Sequence, residues 1–296
     1  MSHVEAEIAS QPECWRDAAE LATTSASVLP APGERVAVLG CGTSLFMAQA
    51  YAALRERARR GESDAFPASE APLQRPYDRV VAISRSGTTT EVLDALAALA
   101  GRVPTVALTA DPTTPIMDAA DETVVLDFAD ERSVVQTRFA TSVLTLLRAS
   151  LGEDVTASVA DAQRALEIPL PDGAVERTQF TFLGRGWTVG LAAEAALKLR
   201  EAACAWTESY PAMEYRHGPI SVTDDNSVVW MFGDVPPGLT DEVRATGAIV
   251  VAPQLDPLAD LVRVQRLAVA VAAARGLDPD TPRNLTRSVV LSDARP

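Results

Sequence analysis

The residues best suited to acid–base chemistry share one predicted helix, over residues 191–206. The chain has 26 basic side chains, of which 25 are arginine, and its single lysine is Lys198. Glu194 lies four residues before this lysine and Glu201 three residues after it, so all three side chains share one stripe of the helix. An ammonium group can lose its proton whereas a guanidinium does not, so we predict that Lys198 and Glu201 form a proton-transfer pair.

A ladder of ion pairs on an exposed helix surface is the alternative interpretation of this spacing, worth about 0.2–0.5 kcal/mol per pair. The rest of the segment is nearly all alanine and leucine, which predicts burial on most sides. Charges on a buried helix must be paired or must line a cavity. We therefore expect this stripe to face a site.

His217 is the candidate for a third catalytic side chain. The chain has two histidines, and the other, His3, lies close to the amino terminus. His217 stands in a turn-forming stretch with Gly218 and Pro219, about one supersecondary step after the lysine helix. Loops at strand ends are where α/β folds keep their sites. A histidine with a purely structural role is the alternative.

Two turns rich in glycine and hydroxyl groups could hold a small phosphate. The first reads Gly-Cys-Gly-Thr-Ser over residues 40–44, and the second reads Ser-Arg-Ser-Gly-Thr-Thr-Thr over residues 84–90. Each links a predicted strand to a predicted helix, where free N–H groups and the helix dipole attract an anion. Hydroxyl groups that only cap helices are the alternative. Leu45 replaces the third glycine of a Gly-x-Gly-x-x-Gly pattern, which disfavours a nicotinamide cofactor.

Apolar strands alternate with helices along the chain, which is typical of an α/β protein with a parallel sheet covered on both faces. The first helix is predicted over 13–28. The predicted strands are 35–39, 79–84, 105–110 and 122–128, followed by strands that begin at 180, 227 and 248. Residues 36–54 align with residues 180–198 in a strand, a Leu-Gly-x-Gly turn and an alanine-rich helix. This likeness predicts two tandem copies of one doubly wound unit.

A stretch rich in proline and glycine, residues 168–175, is interpreted as the linker between the two copies. A length of 296 residues suits one large or two modest domains. We predict a helical segment over 1–32, a first subdomain over 33–167, and a second subdomain with an irregular tail over 175–296.

The charge of the chain excludes several classes of partner. Its net charge of -14 at pH 7 argues against a surface that holds nucleic acid or anionic lipid. No apolar run approaches the roughly 18–20 residues that span a bilayer, and the acidic amino terminus does not resemble a signal peptide. We therefore expect a cytoplasmic protein. The three cysteines lack metal-ligand spacing, so we expect reduced thiols and no metal site.

Five motifs occur in the order found in the sugar isomerase (SIS) domain family, and the chain most resembles the isomerase half of glucosamine-6-phosphate synthase. The motifs are Cys-Gly-Thr-Ser (41–44), Ser-x-Ser-Gly-x-Thr (84–89), Glu-x-x-x-Lys-x-x-Glu (194–201), His-Gly-Pro (217–219) and Pro-Arg-Asn-Leu-x-x-Ser-Val (282–289). The resemblance covers residues 33–296. The opening segment also resembles sugar-phosphate isomerases of the AgaS type.

The resemblance implies two flavodoxin-like SIS subdomains, a homodimer with its site at the subunit interface, and a sugar 6-phosphate as ligand. The glutamate matching Glu201 moves a proton between C1 and C2 of the open-chain sugar, beside the lysine matching Lys198. The histidine matching His217 assists ring opening from the neighbouring subunit, and no metal or cofactor is implied. The residues expected to bind the phosphate or the rest of the substrate are Thr43, Ser44, Ser84, Arg85, Ser86, Thr89, Val134, Gln136, Arg283 and Arg287.

Three departures from the synthase bear on the reaction. About 35 residues precede the first predicted strand, where the synthase carries a glutaminase domain, so we expect that no glutamine-derived ammonia is channelled to the site from the same chain. Arg287 replaces the family's carboxyl-terminal lysine and cannot form an imine. Gln136 replaces a substrate-contacting serine. We therefore predict a phosphosugar isomerase that deaminates an amino-sugar 6-phosphate, of the glucosamine 6-phosphate to fructose 6-phosphate type.

Two alternatives stay open. A fructosamine-6-phosphate deglycase would use the same base and phosphate site, with Arg216, Arg283 and Arg287 receiving the carboxylate of an amino-acid portion. A non-catalytic sugar-phosphate-binding regulator would act through a protein partner, because the chain is too acidic to bind DNA by itself.

Overall fold

The computed structural model describes residues 2–291, and contacts divide the chain into two compact units. Within the described residues, the first-sheet unit comprises residues 14–131, 138–154 and 286–291. The second-sheet unit comprises residues 2–13, 132–137 and 155–285. Neither unit is one continuous stretch of chain, so segments that are remote in sequence complete each of them.

Each unit is built on a parallel sheet. The strands are β1 (Val36–Gly40), β2 (Ser63–Pro67), β3 (Arg79–Ile83), β4 (Thr105–Thr109), β5 (Glu122–Val125), β6 (Gln179–Gly184), β7 (Trp206–Pro211), β8 (Ser227–Met231) and β9 (Ile249–Val251). The first sheet has the order β2-β1-β3-β4-β5 and the second the order β7-β6-β8-β9. The first four strands of each sheet are therefore arranged alike. The predicted α/β class with two parallel sheets is confirmed.

Helices cover these sheets and connect their strands. They are α1 (His3–Ala9), α2 (Gln11–Thr24), α3 (Thr43–Arg57), α4 (Thr90–Leu99), α5 (Ile116–Ala119), α6 (Arg138–Ser150), α7 (Thr156–Glu167), α8 (Thr188–Ala203), α9 (Leu239–Arg244) and α10 (Pro257–Ala274). The helix predicted over 13–28 thus begins and ends earlier, as α2. Among residues 2–291, no helix has both the length and the apolar character needed to cross a bilayer.

The sequence pattern predicts the central strands and misses two edge strands. Every residue of β1 and β4 is buried, because helices cover both faces of a parallel sheet, and such strands are continuous apolar runs. The strands β2 and β7 lie at sheet edges and are largely half-buried or exposed. Their mixed composition gives no apolar run. The segment 122–128, predicted as one strand, is β5 followed by a short 3-10 helix over Asp127–Ala129.

Two glycines let a helix begin directly against the end of a strand. A Cβ atom added to Gly40 would lie 2.5 Å from the main-chain carbonyl carbon of Ser44, and one added to Gly184 would lie 2.2 Å from the carbonyl oxygen of Thr188. Distances below 3.0 Å are essentially never seen for a Cβ. Glycine at these positions therefore brings the amino ends of α3 and α8 close to their sheets.

A buried carboxylate lies in the core of the second-sheet unit. Asp260 on α10 accepts a hydrogen bond from the indole N–H of Trp230 at 2.5 Å. The Nη1 atom of Arg263 lies 3.2 Å from the other carboxylate oxygen, and the guanidinium lies over the Trp230 ring. Burial raises the pKa of Asp260 to about 7, although the indole N–H and the guanidinium partly oppose this rise.

We predict that Asp260 makes the protein less stable as pH rises from about 4 to about 7. Over this range the folded state keeps a proton that the unfolded state has released, which costs up to about 1.4 kcal/mol per pH unit. Asp260→Asn keeps an oxygen acceptor for Trp230 and does not titrate. Urea unfolding should show this variant gaining about 2 kcal/mol relative to wild type between about pH 5 and about pH 7. A stability difference that is independent of pH would contradict the assignment.

Candidate active site

The lysine of α8 is buried between two carboxylates. Lys198 Nζ donates to Glu201 Oε2 at 2.5 Å and lies 3.3 Å from Glu194 Oε1. The side chains of Lys198 and Glu194 are each 1% exposed, whereas that of Glu201 is 19% exposed. An ion-pair ladder on an exposed surface does not describe this cluster. Of the three groups, Glu201 is the one placed to meet a ligand from outside the core.

The electrostatics of the cluster give Lys198 a fixed positive charge. Burial by itself would lower the pKa of Lys198, but the neighbouring carboxylates of Glu194 and Glu201 outweigh burial, and the pKa lies above its usual value. The amine therefore stays protonated at neutral pH. Its chemistry is that of a cation that holds Glu201 in place, rather than that of a base.

The local sequence explains how α8 carries these charges. Alanine and leucine occupy most of the positions between the charged residues, and the helix packs against α10 and against β6 and β7. The helix ends at Ala203, and the left-handed backbone of the next residue, Cys204 (φ 48°), turns the chain toward β7. Thr207 of β7 donates to the carbonyl of Ala196 at 2.8 Å, which fixes the last turns of the helix.

His217 forms no hydrogen bond or ion pair with this cluster in the described part of the chain. It ends the short 3-10 helix Glu214–His217, and its side chain is exposed. Within residues 2–291, no hydrogen bond or ion pair joins it to Glu201 or Lys198. The structure thus brings together two of the three predicted catalytic residues, and the role of His217 stays a prediction.

The two hydroxyl-rich turns lie side by side at the carboxyl ends of the strands of the first sheet. The turn over 40–44 follows β1 and the turn over 84–90 follows β3, and these strands are parallel neighbours. Gly42 (φ 54°) and Gly87 (φ 61°) adopt left-handed backbone conformations that glycine tolerates best. Each turn precedes the amino end of a helix, α3 or α4. Hydroxyl groups and helix amino ends therefore converge there, as an anion site requires.

The hydroxyl group of Ser84 is the clearest sign of a ligand at the carboxyl ends of these strands. Its Oγ is buried and has no hydrogen-bond partner among the described residues. A buried polar group left unpaired costs about 1–3 kcal/mol. The other hydroxyl groups of the two turns that were predicted to bind phosphate are those of Thr43 and Ser44, which are buried, and of Ser86 and Thr89, whose oxygens lie 3.5 Å apart.

Arg85 points away from solvent, although it lies in the second turn. Its Nη1 lies 3.3 Å from Glu131 Oε2, and both side chains are essentially fully buried. Its Nη2 donates to the carbonyl of Arg287 at 3.1 Å. Arg85 thus ties the turn to Glu131 and to the carboxyl-terminal segment. Sequence reasoning missed Glu131 as a site component, although an acidic residue just before a predicted substrate segment was a usable signal.

The remaining predicted residues fall in three places. The guanidinium of Arg287 is paired with Asp130 at 2.5 Å and donates to the carbonyl of Glu131, within the first-sheet unit. Arg283 is exposed. Val134 and Gln136 are half-buried members of the segment 132–137 in the second-sheet unit. The Oε1 atom of Gln136 is buried without a hydrogen-bond partner among residues 2–291.

Residues 31–151 match the SIS domain. A glutamine–fructose-6-phosphate aminotransferase (isomerizing) of Pyrobaculum aerophilum is 32% identical over 96% of this chain and 57% of the relative. The corresponding protein of Methanothermobacter thermautotrophicus is 30% identical over 87% of this chain and 52% of the relative. The chain therefore spans about half the length of these curated relatives.

Solved structures with the same fold include proteins whose whole length this chain nearly covers. The crystal structure of a glucosamine-6-phosphate deaminase of Thermotoga maritima has a TM-score of 0.81 at 26% identity, covering 98% of this chain and 100% of that one. A tagatose-6-phosphate ketose/aldose isomerase of Escherichia coli has a TM-score of 0.78 at 20% identity, covering 95% of each chain. The second likeness shows the fold alone.

These findings define the class of the protein. It contains a SIS domain over residues 31–151. It is homologous to the isomerase domain of glutamine–fructose-6-phosphate aminotransferases, as the motifs predict.

We predict that Ser84→Ala separates stability from phosphate binding. The substitution removes a buried unpaired hydroxyl, so the melting temperature should be equal or higher, while the loss of a hydrogen bond to a charged ligand should weaken binding about tenfold or more. Calorimetric titration with glucosamine 6-phosphate measures the affinity.

Ser142→Ala is the matched control for this prediction. Ser142 lies within α6 of the same unit, and its Oγ is also buried without a hydrogen-bond partner among the described residues. This variant should change stability in the same direction and leave the affinity unchanged. Equal affinities for wild type and Ser84→Ala would remove Ser84 from the site.

Proposed function

We propose that the protein is a phosphosugar isomerase that deaminates an amino-sugar 6-phosphate, converting glucosamine 6-phosphate or a close relative into the ketose 6-phosphate and ammonia. The observation that carries this proposal is the Lys198–Glu201 pair, in which a buried ammonium holds a partly exposed carboxylate at 2.5 Å. A likeness to a glucosamine-6-phosphate deaminase at 26% identity over nearly the whole chain supports it.

Glu201 is the proposed proton carrier. In the open-chain sugar, its carboxylate removes the proton from C2, and the electron pair of the C–H bond forms a double bond between C1 and C2. The carbonyl oxygen at C1 takes a proton from water, which gives an enolamine. Glu201 returns its proton to C1, which restores the carboxylate, and loss of a proton from nitrogen to water gives an imine at C2. Water adds to the imine and ammonia leaves, which yields the ketose. Lys198 keeps its own proton throughout and fixes the orientation of Glu201.

The hydroxyl-rich turns of the first-sheet unit are proposed to bind the phosphate. Ser84 supplies the buried hydroxyl that lacks a partner within residues 2–291, and the amino end of α3 adds main-chain N–H groups. The residues assigned to this role are Thr43, Ser44, Ser84, Ser86 and Thr89. Arg85 is assigned to the support of the turn, since its guanidinium is engaged with Glu131 and the carbonyl of Arg287.

Two copies of the chain are proposed to complete each active site, with His217 of one copy opening the sugar ring in the site of the other. The exposed imidazole of His217 suits this role. Nearby in sequence, the side chains of Trp206, Met213 and Val222 are 80%, 47% and 58% exposed. Large exposed apolar side chains are typical of surfaces that another protein covers.

The deglycase alternative loses support. Arg216 is paired with Glu242 at 2.7 Å, and Arg287 is paired with Asp130 at 2.5 Å. Two of the three arginines expected to receive an amino-acid carboxylate are therefore already engaged.

We predict that Glu201→Gln lowers kcat by about 10²–10⁴, because the amide cannot accept the C2 proton. Loss of deuterium exchange at C2 in heavy water, followed by NMR, should accompany the loss of turnover. Glu208→Gln, which removes a half-buried carboxylate from β7 of the same unit, is the control and should stay close to wild type. A Glu201→Gln variant within about tenfold of wild type would remove Glu201 from its role. Sugar-phosphate binding without exchange at C2 in the wild type would favour the regulator instead.

We predict that two inactive variants complement one another if each site draws on two copies. Co-expression of Glu201→Gln with His217→Ala should restore about a quarter of wild-type activity, because half of the dimers are mixed and each mixed dimer has one intact site. Differently tagged chains confirm that mixed dimers form. Mixed dimers without recovered activity would place His217 and Glu201 in the same copy, and a His217→Ala variant that is active by itself would remove His217 from the reaction.

A further inference from the structure

Glu7 is a buried carboxylate that lies outside the residues assigned to the reaction. It belongs to α1 in the second-sheet unit, and its side chain reaches the segment 132–137 of the same unit. Its Oε1 accepts the main-chain N–H of Arg132 at 2.6 Å and that of Ser133 at 3.3 Å. Its Oε2 accepts the hydroxyl of Ser133. Glu7 thus binds two successive residues of this segment.

The helix that carries Glu7 is fixed from both ends. Asp280 accepts the N–H groups of His3 and Val4 at 2.7 and 2.8 Å, so a remote carboxylate caps the first turn of α1. Beyond the other end, Gln11 donates to Gln265 of α10 at 2.6 Å. The position of the Glu7 carboxylate is therefore set independently of the segment it binds.

The segment 132–137 depends on such external contacts for its shape. It contains no helix or strand, so its main-chain N–H groups need partners from elsewhere. The Ser133 hydroxyl, which contacts Glu7, also lies 2.8 Å from the carbonyl of Val135. Val135 directly precedes Gln136, whose buried Oε1 has no hydrogen-bond partner among the described residues. A line of contacts thus runs from Glu7 to the residue before Gln136.

We propose that Glu7 is a positioning residue, which holds the segment 132–135 in the conformation that presents Gln136 to the sugar phosphate. This inference rests on the proposed function, because it takes Gln136 as a substrate contact. The amide oxygen of Gln136 accepts hydrogen bonds, so it suits a hydroxyl or amino group of the sugar. Glu7 then governs affinity for the substrate and has no part in the proton transfer at Glu201.

The test compares Glu7→Ala with Val4→Ala. Val4 is a buried residue of the same helix that packs in the core, so its truncation weakens the attachment of α1 without removing a hydrogen bond to the segment. Both variants should lower the melting temperature. Glu7→Ala should in addition raise KM and the Kd for glucosamine 6-phosphate about tenfold, with kcat within about threefold of wild type. Val4→Ala should leave both affinities unchanged.

The conservative variant Glu7→Gln supplies a rescue. Its amide oxygen can still accept the two N–H groups, so KM should return to within about threefold of wild type. In a Gln136→Ala background, Glu7→Ala should raise KM by less than about twofold, since the residue that Glu7 positions is already gone. Additive effects of the two substitutions, or a KM change in Val4→Ala equal to that in Glu7→Ala, would overturn the proposal.

Failure of the positioning role and failure of the proposed function give different results. If the wild type turns over amino-sugar phosphates while Glu7→Ala keeps wild-type KM, the positioning role is wrong and the function stands. If wild type binds the sugar phosphate without turnover, the function is wrong, and the Kd values still report on Glu7. Hydrogen exchange at residues 132 and 133 is independent of any ligand: it should accelerate in Glu7→Ala, and unchanged exchange would overturn the proposal.

Discussion

The burial of α8 depends on the ion pairs between the ammonium group of Lys198 and the two carboxylates beside it. Glu194 and Lys198 are almost completely withdrawn from water, and removing one partner of such a buried pair typically costs about 3–5 kcal/mol. The helix packs against α10 and the second sheet while this one ammonium offsets the charge of the carboxylates beside it. The same ammonium holds Glu201, so the arrangement that makes burial tolerable also fixes the carboxylate that the reaction would use.

The two units share a strand order and a strand-end glycine but differ in how the turns beyond their strands satisfy polar groups. In the second sheet, the hydroxyl of Thr188 lies within hydrogen-bond distance of the carbonyls of Arg185 and Phe232 and accepts the N–H of Arg185. That turn satisfies its own polar groups. In the first sheet, Ser84 keeps a buried hydroxyl without a partner among residues 2–291. The same arrangement of strands thus carries a structural turn in the second-sheet unit and a candidate anion site in the first-sheet unit.

The sequence alone predicts the central strands, the α/β class and the spacing that joins Lys198 to Glu201. Periodicity and local spacing carry this information, because helix geometry brings together residues three or four apart. Contacts between remote segments carry no such signal. Three contacts of this kind join residues more than 40 positions apart: Arg85 with Glu131, Arg287 with Asp130, and Glu7 with the segment 132–137. The sequence shows the charge and the position of each of these residues, but it does not show which residue each one contacts.

Capping of α1 by Asp280 imposes an order on folding during synthesis. The second-sheet unit includes residues 2–13 and a stretch that runs to residue 285, so its parts leave the ribosome at widely separated times. Asp280, which accepts the N–H groups of His3 and Val4, is synthesised 277 residues after His3. The apolar residues Val4 and Ile8, buried in the finished protein, therefore have no docking place while the first sheet assembles. We expect α1 to be among the last elements of the second-sheet unit to take its place.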